Sequence, residues 1–245
     1  MYLSRDEIEA IAKRVLRAYY RLPCLCGEPV KKVDPSILAE SLLRLKVEYQ
    51  TLSLSGSLLG MTAFGDVEIR IYDDNLRPTY YHTDEKTLFI DKYLLKDPKD
   101  AGRFHFTLMH EACHQIYRML YPWNYAGEIR GRRVHYCRAN RSPADWEEWR
   151  TDALAAAILM PPELVLSALE SCGIHGKIEM LNRVFAPREY QQFAAAAEIL
   201  GVSKTAFSIR LKQMGLIGRD DLKDPYALVD IHVEDGELND CEGGR

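Results

Sequence analysis

His110-Glu111-Ala112-Cys113-His114 lies inside an apolar pattern that predicts a helix from about Phe104 to Leu120, with Gly102 before it and Pro122 as its stop. On a helix, residues four apart are separated by about 40° of rotation and roughly 6 Å of rise. Both imidazoles therefore project from one face and can grip a single metal ion. Glu111 lies about 100° round from His110, so it flanks the ligands without joining them. That is where a general base would take a proton from a metal-coordinated water.

Working outward, a catalytic zinc takes three protein ligands and keeps a fourth place open. The residues after His114 are Gln115-Ile116-Tyr117-Arg118-Met119-Leu120, which excludes a third histidine at the metzincin spacing. The better third ligand is Glu148, in Glu148-Trp149-Arg150-Thr151-Asp152. Glu148 and Asp152 share a helix face, so one carboxylate can bind metal while Asp152 accepts the N–H of a metal-bound imidazole. Glu147 and His135 are rivals for the third position. The small residues Ala153, Ala155, Ala156 and Ala157 suit close helix packing. Zinc is the expected ion, although such a donor set also holds cobalt or nickel.

Length and composition set the frame. The chain has 245 residues and a net charge of −4, enough to bury a core without disulfides and without the charge of a general nucleic-acid or membrane binder. The cysteines at positions 24, 26, 113, 137, 172 and 241 form no CxxC pair, which fits idle thiols in a reducing cell. No apolar leader opens the sequence, and its longest apolar run, Ala153 to Met160, is too short to span a bilayer. A cytoplasmic protein is expected.

Further elements follow from pattern. Ser4 caps a helix to about Arg21, and Asp34-Pro35 starts another that runs to about Leu45. Period-two alternation marks strands at Leu58 to Ala63 and Val67 to Ile71 around a Gly65-Asp66 turn. Tyr80 to His82 and Thr87 to Ile90 read as two further strands around the Asp84-Glu85-Lys86 turn. Together these predict a small antiparallel sheet. Trp123 to Arg141 reads as irregular, with Arg130, Arg132, Arg133, Arg138 and Arg141. Ser142-Pro143-Ala144-Asp145 starts a helix that ends at Met160-Pro161, and Pro162 begins another ending at Gly173. Ala194 to Leu211, with a turn at Gly201 and a cap at Ser203, reads as a helix-turn-helix-like pair. The expected fold is α+β: a mainly helical zincin-like metallopeptidase core over 1–173, the helix-turn-helix-like segment over 174–218, and a C-terminal tail over 219–245 that is loose from Asp235.

The pairing of His110-Glu111-Ala112-Cys113-His114 with Glu148-Trp149-Arg150-Thr151-Asp152-Ala153-Leu154-Ala155-Ala156-Ala157-Ile158-Leu159-Met160-Pro161 resembles the ImmA/IrrE family of zinc metallopeptidases. Its members carry H-E-x-x-H followed by E-x-x-A-[ND]-x-[FL]-A-x-x-L-L-M-P. Thr151 departs from the family's usual alanine. The specific match covers Phe104 to Pro161. The resemblance implies Zn2+ held by His110, His114 and Glu148, with Glu111 as general base. It also implies a cytoplasmic endopeptidase that cuts helix-turn-helix repressors of mobile elements or stress regulons. Tyr81, His82, His135 and Tyr136 are possible oxyanion donors.

A second class stays open: a DNA-binding regulator whose metal site is structural or vestigial. It would place Lys204, Thr205, Ser208 and Lys212 in a major groove, but the surplus of two positive charges between Pro187 and Ile217 is thin for phosphate binding. A scaffold or substrate-docking role for the helix pair is favoured. The intact Glu111 favours the peptidase, because a structural site needs no base.

Overall fold

Four strands form the floor under the helix that carries the H-E-x-x-H run. In this computed structural model the described residues are 2–27, 29–123, 134–138 and 146–226, with His135, Tyr136 and Arg138 described in backbone alone. The strands are β1 (Lys46–Gln50), β2 (Leu58–Ala63), β5 (Thr87–Asp91) and β6 (Val134–Arg138), in the order β1-β5-β2-β6. β1 pairs parallel with β5, whereas β2 runs antiparallel to both β5 and β6. The sheet is therefore mixed, which corrects the expected antiparallel one.

A second correction concerns partners. β3 (Val67–Tyr72) does not fold back on β2. It pairs with β4 (Pro78–Thr83) through a turn in which Asp73 accepts from the backbone of Asn75 and Arg77. Alternation shows that a segment is a strand, but carries no record of which edge it meets. β1 and β6 were not expected as strands. β1 alternates Val47 and Tyr49 with Lys46, Glu48 and Gln50, a run with only two apolar residues, and β6 lies in the stretch read as irregular.

α1 (Arg5–Tyr19) begins at a capping box in which Ser4 and Glu7 bond reciprocally, and its Ile8, Ile11, Leu16 and Tyr19 are buried. The helix expected from Asp34-Pro35 to about Leu45 is shorter and π-helical, Ile37–Leu42. α2 (Ala101–Leu120) starts three residues earlier than the pattern placed it and lies across the sheet, with Thr107 to Tyr117 buried. α3 (Trp146–Leu159) packs against both α1 and α2. Its cap, read at Ser142 to Asp145, lies outside the described residues, as do Arg130, Arg132, Arg133, Arg141 and the tail 227–245.

α4 (Pro162–Ser171) follows a Pro start, and α5 (Pro187–Leu200) leads through left-handed Gly201 (φ 68°) to α6 (Lys204–Gln213), capped by Ser203. Phe193 of α5 stacks on Phe207 of α6 at 5.2 Å between ring centres. This pair joins the rest of the protein through side chains. His105 Nδ1 meets Gly201 O at 2.8 Å, and Arg210 reaches Met160 O and the carboxylate of Glu9. A short parallel pair, β7 (Ile178–Leu181) with β8 (Ile217–Asp220), flanks it. One buried apolar cluster includes residues from Leu3 to Ile217. The fold class is α+β, and no single described helix is long and apolar enough to cross a membrane.

Candidate metal centre

The spacing of α2 turns His110 and His114 to one side, and α3 supplies what they face. Both histidines are fully buried. Their Nε2 atoms lie 3.1 Å apart, with the rings edge-on. The Glu148 carboxylate straddles them: Oε2 is 3.4 Å from His110 Nε2 and Oε1 is 3.4 Å from His114 Nε2. Zinc bonds of about 2.0–2.2 Å in tetrahedral geometry put neighbouring donor atoms roughly 3.3–3.6 Å apart. Two imidazole nitrogens and a carboxylate at these separations are therefore a donor set that fits one divalent ion, and the three residues form a buried cluster able to hold it.

His110 Nδ1 lies 2.8 Å from Asp152 Oδ1. With Nδ1–H donating there, Nε2 keeps its lone pair for a metal. Asp152 thus sits one helical turn beyond Glu148 and on the same side, as their spacing requires. Burial pushes the Glu148 carboxyl up, but hydrogen bonds and charge from His110 and His114 outweigh it, holding the group well below the usual carboxylate range. Burial also drives the Cys113 thiol well up, with Asp152 adding to the effect, so Cys113 is a neutral core residue inside the motif.

Of the two rivals for the third ligand, the described side chains separate Glu147 from Glu148. Glu147 pairs with Arg150 at 3.4 Å, while Glu148 faces the histidines. The His135 and Tyr136 side chains lie outside the described residues. Tyr81 bonds Lys46 and Glu48 on β1, and His82 is exposed opposite Glu68 on the hairpin. Thr151 is accommodated by donating to Glu147 O at 2.8 Å, which satisfies its hydroxyl within the helix.

Glu111 turns the other way, onto β2, and is fully buried. The Thr62 hydroxyl donates to its Oε2, and lies 3.1 Å from its main-chain oxygen. Cys137 of β6 falls near enough to His110 and Glu111 to form a second group of possible metal-binding atoms. Thr62, Gly60 and Cys137 were not singled out from the sequence. For Gly60 and Thr62 the one signal was the alternation of β2, which marks which residues share a face but does not say that α2 lies over it. A cleft of about 980 Å³ passes Leu59, Thr107, Trp149 and Asp152; Asp152 is the one member of the site in its lining, while His110, Glu111 and His114 are fully buried.

Of the four residues assigned to a DNA groove, Ser208 is buried and donates to Thr205 O, and Lys212 pairs with Asp220 at 2.8 Å. Lys204 lies over the Tyr190 ring, and Thr205 is exposed beside the cleft. The chain matches no family model and no curated protein.

Proposed function

We propose that this protein is a zinc-dependent endopeptidase, related to the ImmA/IrrE peptidases it resembles, whose substrate is a helix-turn-helix transcriptional repressor. The observation that carries the reading is the Glu148 carboxylate set 3.4 Å from both Nε2 atoms, beside a glutamate at the general-base position of the same helix. A purely structural zinc site would close its fourth position with a protein ligand and would need no such base. The substrate class comes from the resemblance alone.

In this reading His110, His114 and Glu148 hold the ion, and Asp152 fixes the His110 ring and its tautomer. A bound zinc would polarise a peptide carbonyl and acidify a water ligand. Glu111 takes the proton of the water that adds to the peptide carbonyl carbon and, as the C–N bond breaks, returns it to the leaving amine. The cleft beside Trp149 and Asp152 is the open space that borders this site, through Asp152.

The test is incubation of the zinc-loaded chain and its Glu111→Gln variant with a purified helix-turn-helix repressor, followed by mass spectrometry. One discrete cut by the first and none by the second is expected. Equal cutting by both removes Glu111 from the mechanism, and intact repressor throughout removes the substrate assignment. The loaded chain's zinc content, measured beforehand, should be about one per chain.

A further inference from the structure

We propose that Thr62, with Gly60 two residues before it, is the positioning element for the Glu111 carboxylate; the inference rests on reading Glu111 as the base. Gly60 and Thr62 lie on the same side of β2 because strand side chains alternate. Met61, between them, turns to the opposite side and packs in a separate cluster with Phe89, Ile69 and Ile71. The face left to Gly60 and Thr62 is the one that α2 covers.

Two devices act on one carboxylate. At Gly60 there is no side chain, and none fits: a Cβ there would stand 2.8 Å from Glu111 Oε1, 3.0 Å from its Cγ and 2.9 Å from Thr107 Cγ2. The gap in the strand is filled by the glutamate itself. At Thr62 the fully buried hydroxyl donates to Glu111 Oε2. A hydroxyl carries one proton, and a carboxylate oxygen attracts it more strongly than the neutral main-chain oxygen of Glu111 at 3.1 Å. One residue makes room for the carboxylate and the other sets its direction. A glutamate has three rotatable side-chain bonds, and catalysis tolerates little error in where a reacting group sits, about 1 Å of misplacement costing roughly 10²-fold.

A purely structural Thr62 would serve only the helix carbonyl, and the experiment separates the two roles. In the metal-free full chain, Thr62→Val should lower the melting temperature clearly, and should lower it less in a Glu111→Ala background. Equal falls in both backgrounds mean that the hydroxyl serves the main chain alone, and the proposal is overturned. With cobalt loaded, the visible spectrum of Thr62→Val should match wild type, showing the ligands undisturbed.

With zinc loaded and p-nitrophenyl acetate as probe, kcat should fall about 10–100-fold with KM unchanged, Thr62→Ser should recover most of the rate, and Gly60→Ala should lose rate while keeping zinc. A wild-type rate in Thr62→Val, with Glu111→Gln inactive, sinks the positioning role. An active Glu111→Gln instead sinks the reading of Glu111 as base, while the unfolding comparison still decides the Thr62 contact.

Discussion

The two sides of α2 are built from different chemistry. Toward α3 it presents His110 and His114, met by the carboxylates of Glu148 and Asp152. Toward β2 it presents Glu111 and Gln115, met by neutral groups: the Thr62 hydroxyl and the main-chain oxygens of Ala63 and Glu85. Anions gather where a cation would be held, and neutral donors and acceptors gather where a side chain has only to be aimed. Substitutions on the first side should therefore cost metal, and those on the second should leave the metal in place and cost rate or stability.

The largest effect should come from His114→Ala, which removes one of the three proposed ligands; zinc measured after dialysis should fall to background. Retention of a full equivalent would break the comparison at its strongest point. Glu111→Gln should keep its zinc and lose about 10²–10⁴-fold in hydrolysis. Asp152→Asn should weaken zinc affinity about 10–100-fold, read by competition with a chelating dye, because the His110 ring loses its anionic partner.

The fourth prediction concerns pH. The folded chain holds Glu148 below its ordinary 4.5, so folding favours the ionised form. That contribution is present above the ordinary value and fades as pH falls through the lowered folded one. Metal-free wild type should therefore melt above Glu148→Gln at about pH 6, and the gap should close only well into the acid range. A gap that grows on acidification has the opposite sign and would falsify the assignment. The smallest effect should be Gln115→Ala, costing about 1–3 kcal/mol because the Ala63 carbonyl loses a buried donor while Glu85 O keeps Arg118, with zinc content unchanged.

How much was legible beforehand differs between the same two sides. The α3 side was readable from two short runs, because the donor residues are chemically rare and helical spacing assigns each a face. Glu148 could even be preferred over Glu147, a preference the structure explains by giving Glu147 to Arg150. The β2 side was not readable. Gly60 and Thr62 are ordinary residues in an ordinary strand, and their role exists only because α2 crosses them. The strand errors have the same origin: β2 and β3 were taken as neighbours, whereas β2 meets β5 and β6 and β3 meets β4. Ser208 was counted as a groove reader from its helix position and proves buried under its neighbours.

By itself the amino-acid sequence determined the local geometry: a helix that turns two imidazoles to one side, a second that turns two carboxylates to one side, and the prolines that follow them. These follow from repeat distances of a few residues, which the chain carries along its own length. Only the tertiary structure decided that the two sides meet, that β2 lies beneath Glu111, and that the sheet is mixed. Those contacts join segments far apart in the chain, and their register is set by packing across the whole core, a quantity no single stretch contains.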